Sequence, residues 1–96
     1  MAYKVVYSPN AQENLHQILE YLVDVHSFII AEKFSEYLIS VTEMLEKQPY
    51  SGRMHPVLSA VREFPVKPYY LVFYSVLEQE EIVHILNIID TRRQLK

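Results

Sequence analysis

Tyr69-Tyr70-Leu71-Val72-Phe73-Tyr74, with Ile82-Val83-His84-Ile85-Leu86-Asn87-Ile88 behind it, is the stretch that decides the fold. Both runs are rich in β-branched and aromatic residues, which suit a pleated surface. In the first, Tyr69, Leu71 and Phe73 alternate with Tyr70, Val72 and Tyr74, so both faces are apolar or aromatic. In the second, Ile82, His84, Leu86 and Ile88 take one face and Val83, Ile85 and Ile89 the other. The pattern predicts strands near 69–77 and 81–89, with a further strand near 61–66 before them. The Glu78-Gln79-Glu80 joint lacks the Gly or Asn of a tight hairpin, which predicts a longer loop. Upstream, Pro49 to Pro56 holds the only glycine, Gly52, and two of the five prolines, and reads as the main loop.

Working outward, the helical period appears before that loop. Tyr3-Lys4-Val5-Val6-Tyr7 predicts a short first strand, and Ser8-Pro9 an N-cap followed by proline at the first helical position. Ala11, Leu15, Ile18, Leu19 and Leu22 then form one stripe, with Glu13, Asn14, Gln17 and Glu20 opposite. This helix is expected to end near Asp24 to His26. Ser27 can cap a second helix reaching about Gln48, where Pro49 stops it. Its stripe is Ile30, Phe34, Tyr37, Leu38, Val41, Met44 and Leu45. One face of the sheet takes this helix hairpin, and the other needs a cover. The expectation is an α+β domain over residues 1–96 in the order β-α-α-β-β-β, a helix hairpin packed on one face of a mostly antiparallel four-stranded sheet.

Composition excludes several classes. With 96 residues there is room for one core, and with no cysteine there is neither disulfide nor thiol chemistry. Met1-Ala2-Tyr3-Lys4 lacks the apolar core of a signal peptide, and no run approaches the roughly 18 apolar residues of a membrane span. The expectation is a soluble cytoplasmic protein. His16, His26, His55 and His84 show no metal-ligand spacing, and there is no phosphate-binding glycine loop or nucleophile elbow, so neither metal nor cofactor is expected.

The net charge of −3 argues against bulk affinity for nucleic acid, but it is unevenly spread. Residues 1–48 carry three lysines against seven acids, a net of −4, and residues 49–96 carry six cations against five acids, a net of +1. Arg62, Lys67, Arg92 and Arg93 stand at the ends of the strand-like runs, and Arg53 lies in the loop. Arginine is costly to bury and stays charged, so these positions mark an exposed sheet rim built to meet a phosphate, a carboxylate or an acidic partner. Each also has a local reading. Arg62 can pair with Glu63 or the Glu78–Glu81 turn, Arg92 with Asp90, and Arg53 with acids on the helices. His84 sits inside an apolar strand, where a histidine more often packs than reacts.

The order of these segments resembles the toxins of the RelE/ParE superfamily from bacterial type II toxin–antitoxin modules. The carrying segments are Tyr7-Ser8-Pro9-Asn10-Ala11 with Leu15, Ile18, Tyr21 and Leu22, then Ala31-Glu32-Lys33-Phe34, the Pro49-Tyr50-Ser51-Gly52-Arg53 link, Arg62-Glu63-Phe64-Pro65-Val66, the two runs quoted first, and Arg92-Arg93. The opening, the link and the short tail place it closer to the ParE branch, although Asp90-Thr91 stands where ParE-like chains often carry a histidine. The resemblance implies a growth-inhibiting toxin, of a kind associated with plasmid stabilisation, that binds DNA gyrase through Arg53, Arg62, Arg92 and Arg93. It also implies neutralisation by an antitoxin seated on Tyr69, Tyr70, Tyr74 and Lys67. The RelE branch implies instead a ribosome-dependent mRNA endonuclease, with Arg62, Tyr74 and His84 as the candidate catalytic groups. A degenerate, non-toxic member is the third alternative.

Overall fold

Ser8 makes the first joint of the chain, between β1 (Lys4–Tyr7) and α1 (Pro9–Tyr21), in the computed structural model, which describes residues 2–93. Its Oγ accepts the Ala11 N–H at 3.0 Å, satisfying a donor that the first helical turn leaves open. From α1 the chain passes into a single π-helical turn, Leu22–His26, closed by the Ser27 N–H on Leu22 O at 2.9 Å. Ser27 then caps α2 (Phe28–Lys47), its Oγ accepting from the Ile30 N–H at 3.2 Å. Four strands follow: β2 (Arg53–Met54), β3 (Arg62–Val66), β4 (Tyr70–Leu77) and β5 (Ile82–Asp90), before a 3-10 turn at Thr91–Arg93. None of the helices among the described residues is long and apolar enough to cross a membrane.

The sheet order is β1-β5-β4-β3-β2, with β1 parallel to β5 and the other pairs antiparallel. This is the expected α+β arrangement with one strand more than the four expected. The added strand, β2, sits in the link loop, Arg53 opposite Glu63 and Met54 opposite Arg62. Two residues are too few to show an alternation that sequence reading can detect.

Both helices lie on one face. Leu22, Phe34, Leu38 and Leu45 meet Val66, Val72, Val83 and Ile85, all buried, and Phe34 packs edge-on against Tyr70 with ring centroids 4.9 Å apart. Each such side chain removed from water stabilises the fold by ~1.5–3 kcal/mol. The opposite face is partly covered by the loop after β2. The His55 ring stands edge-on to Phe73, and Ser75 Oγ donates to Ala60 O at 2.8 Å.

The alternation in β5 departs from the expected phase. Tyr74 pairs with Ile85 but Phe73 pairs with Asn87, so Leu86 is an extra residue, a β-bulge. Past it the inward phase resets, and Ile88 is buried on the face of Val83 and Ile85 rather than on that of His84. The bulge is where α1 is fastened. Ser8 N–H donates to Ile85 O at 2.9 Å and Ser8 Oγ to Leu86 O at 2.8 Å. Asn14, expected on the solvated side of α1, instead accepts from the Ile88 N–H at 3.0 Å and from Asn87 Nδ2 at 3.2 Å. β1 ends opposite Ile85, so beyond that point Asn14 supplies a partner where no neighbouring strand does. The β4–β5 loop spans Glu78–Glu81, longer than a two-residue turn as expected, with Glu81 at φ 57° in the region where glycine is the usual occupant.

Ser8 thus serves the helix cap and the bulge with one hydroxyl. Ser8→Ala removes both bonds and is expected to cost ~1–2 kcal/mol. A shift of the urea midpoint at unchanged slope measures this, and an unshifted midpoint contradicts it.

Candidate functional site

The structure gathers the predicted cations into two clusters, one toward each end of β4. The first is built on Tyr74. The pleat turns Tyr70, Val72 and Tyr74 toward the helices, and Tyr74 is fully buried. Its hydroxyl donates to Pro49 O at 2.8 Å and accepts the Gly52 N–H at 2.8 Å, which holds the link loop against the sheet. Burial pushes the Tyr74 hydroxyl pKa above its ordinary value, in keeping with its role as donor to Pro49 O. Gly52 has no room for a side chain, since a Cβ there would stand 2.5 Å from the Tyr74 hydroxyl oxygen and 2.7 Å from Glu63 O.

The two arginines of this end follow from that loop. Arg62 Nη1 donates to Gly52 O at 2.7 Å and Tyr50 O at 3.2 Å, with its guanidinium carbon 5.0 Å from the centroid of the Tyr50 ring. Tyr50 in turn donates to the Glu78 carboxylate, and that bond raises its pKa to about 12. Arg62 therefore meets carbonyls and an aromatic ring, not the acids expected for it. Glu63 belongs to Arg53 instead, whose Nε and Nη2 reach Glu63 Oε1 at 3.0 and 2.7 Å. The pair is asymmetric: the Arg53 side chain is 78% exposed and the Glu63 side chain 5%. Arg53 remains on display although its charge is partnered.

The second cluster closes the other end of β4. Arg92 donates to Asp90 from its backbone N–H (2.9 Å) and from Nε (3.2 Å) to Oδ1, and from Nη2 to Oδ2 (3.0 Å). Its guanidinium lies 3.6 Å from the Tyr69 ring centroid, and Nη2 reaches the Tyr21 hydroxyl at 3.4 Å. These bonds, first that to Asp90, hold the Arg92 pKa above its ordinary value. Thr91 ties the tail down through its N–H and hydroxyl on Tyr69 O, at 2.9 and 2.7 Å. Tyr70 lies beneath, 2% exposed, its pKa raised by burial and then by Tyr69. A groove of about 360 Å³ opens beside it, lined by Asn14, Gln17, Tyr21 and Asp90 among others. Lys67 is exposed in the β3–β4 turn, 6.0 Å from the centroid of the Tyr37 ring.

Arg62 is in register with Tyr74 and Asp90 with Tyr70, which separates the clusters by roughly 13 Å along the strand. The expected single rim is thus two ends. Arg53 and Arg62 share one, Lys67 and Arg92 the other, and the Arg93 side chain lies outside the described residues. Tyr70 and Tyr74, expected at a partner surface, are core residues, and of the tyrosines named for that surface only Tyr69 keeps partial exposure. His84 is half-buried opposite Ser75 and Val6, on the face away from the helices. Arg62, Tyr74 and His84 do not converge. Among the described residues, no three His or acidic side chains gather as a metal site. Tyr50 and Tyr21 stood in the sequence only as members of motifs; each receives an arginine, and nothing in local spacing joins Tyr21 to Arg92.

The comparisons agree with this architecture. The family model for the ParE toxin of type II toxin–antitoxin systems (parDE) matches residues 5–95. Among solved structures, a chain of a chromosomal ParDE system from P. aeruginosa superposes with a TM-score of 0.76 at 16% identity, covering 93% of this chain and 96% of that one. The RelBE2 toxin–antitoxin complex from Mycobacterium tuberculosis gives 0.64 at 18% identity, covering 94% and 99%. The isolated E. coli RelE toxin gives 0.64 at 13% identity, covering 97% and 88%. At such identities these likenesses show a shared fold. No curated protein sequence matches the chain.

Tyr74→Phe removes the one hydroxyl that partners two buried backbone groups and is expected to destabilise the fold by ~2–3 kcal/mol. Hydrogen exchange at the Gly52 amide should quicken well beyond the global change. A variant with wild-type stability and exchange would contradict this assignment.

Proposed function

The chain belongs to the ParE toxin family of type II toxin–antitoxin systems, and from that premise we propose that it arrests bacterial growth by binding DNA gyrase and that a cognate antitoxin neutralises it. The observation that carries the reading is the non-convergence of the candidate catalytic groups. RNA cleavage needs a base near the 2′-OH and cations at the scissile phosphate. Here Arg62 is committed to its own loop, the Tyr74 hydroxyl to two backbone groups, and His84 lies on the other face of the sheet. Binding asks less: two exposed, pre-oriented guanidinium groups can meet acidic or polar surface without further chemistry.

On this reading Arg53 and Arg92 form the primary target contacts, with Arg62 fixing the loop that carries Arg53, and Arg93 extending the tail. The antitoxin surface draws on Tyr69, Lys67 and the exposed Tyr37 beside it, an aromatic strip with one cation that suits an acidic, apolar segment. The toxin–antitoxin complexes among the solved structures of this fold support the existence of such a partner. Gyrase and an antitoxin would both be met in the cytoplasm.

Inducible expression in a bacterial host, with pulse-labelling of DNA and protein synthesis, tests the reading. DNA synthesis is expected to fail first, and Arg53→Ala with Arg92→Ala to weaken the effect about tenfold or more. Early translational arrest with cut mRNA would overturn it in favour of the RelE-type activity, and no growth effect in favour of a non-toxic member.

A further inference from the structure

The turn of the helix hairpin displays apolar surface that the fold itself does not use. Within eight consecutive residues, Val23, Val25, Phe28, Ile29 and Ile30 are 45, 57, 68, 61 and 37% exposed. The π-helical turn explains the exposure of Val25. Leu22 is fully buried, and an α-helical continuation would bring Val25 and His26 onto its face. The wider turn instead leaves both residues exposed, and Ser27 starts α2 at once. In α2 the core takes Ala31 and Phe34, leaving Phe28, Ile29 and Ile30 outward. Exposed apolar residues grouped in this way mark interaction sites, and π-turns recur at functional positions.

The surrounding charge selects the occupant. Residues 9–47 hold seven acids and two lysines, a net of −5, and Glu20, Asp24, Glu32 and Glu36 stand among or beside the apolar residues. Of these four only Glu20 has an ion-pair partner among the described residues, His16 at 3.3 Å. Arg92, which reaches Tyr21 next door, is committed to Asp90 and Tyr69. A two-fold contact with a second copy would set these acids against themselves. An acidic segment or an anionic lipid surface meets the same repulsion.

We propose that this turn docks a basic, apolar segment of a partner protein, its apolar side chains on Phe28 and Val25 and its cations on Asp24, Glu32 and Glu36. Such a partner is neither the acidic segment expected at Tyr69 and Lys67 nor a surface that would read Arg53, and the inference does not depend on which target is inhibited.

The test titrates the isotope-labelled chain with a synthetic amphipathic peptide of leucine and lysine, and with its leucine–glutamate counterpart, following amide shifts by NMR. The lysine peptide is expected to shift amides between Glu20 and Glu36, to bind about tenfold or more tighter than the glutamate peptide, and to weaken as salt rises. The double variant Val25→Ser, Phe28→Ser changes only exposed residues, so it should keep its thermal melt while losing about tenfold or more in affinity. Equal binding of the two peptides, shifts mapping elsewhere, no binding, or an unaffected double variant would each overturn the proposal. Concentration-dependent dimers in sedimentation, abolished by Phe28→Ser, would also overturn it by making a second copy the occupant.

Discussion

Two hydrogen bonds of one buried hydroxyl, that of Tyr74, set the positions on which the site depends. The oxygen sits in the core and spans Pro49 O and the Gly52 N–H, so the link loop can close on the sheet in one way. A buried backbone group left unpaired costs ~1–3 kcal/mol, which makes that closure binding on the chain. The consequences run outward in order. Gly52 admits no side chain, its carbonyl takes Arg62, and β2 falls into register so that Arg53 lands on Glu63. The arginines of this end are thereby oriented before any partner arrives.

Features governed by neighbours in sequence were legible beforehand. Ser8 and Ser27 are caps because a hydroxyl three residues ahead of an open N–H is a local geometry, and Pro49 stops α2 by a local clash. The strands announced themselves by alternation, and the partnership of Arg92 with Asp90 spans only two residues. Features set by distant contacts were not legible. The bulge at Leu86 depends on Ser8 and Asn14, more than seventy residues away, and it alone moves Ile88 to the buried face. An alternating apolar run shows that two faces exist but not which is covered, so Tyr70 and Tyr74 could be read as partner surface until the helices were placed over them. Glu63 could be assigned to its neighbour Arg62 until the register of β2 gave it Arg53.

What the two arginine clusters share is restraint by aromatic rings. Arg62 lies over Tyr50 and Arg92 over Tyr69 and Tyr21, each with its fork already hydrogen-bonded. A guanidinium held this way loses little conformational freedom on contact, which favours recognition. Cleavage of a phosphodiester asks for several donors aimed at one point, and these two guanidinium groups are held at separate places along β4. That spacing suits an extended protein surface better than a single reacting group.

On the proposed reading the chain acts by contact with gyrase and without RNA chemistry. The direct measurement adds the purified chain in parallel to gyrase supercoiling a plasmid and to ribosomes translating a defined mRNA. The account predicts loss of supercoiling with the mRNA intact. Intact supercoiling with mRNA cut on the ribosome would contradict it.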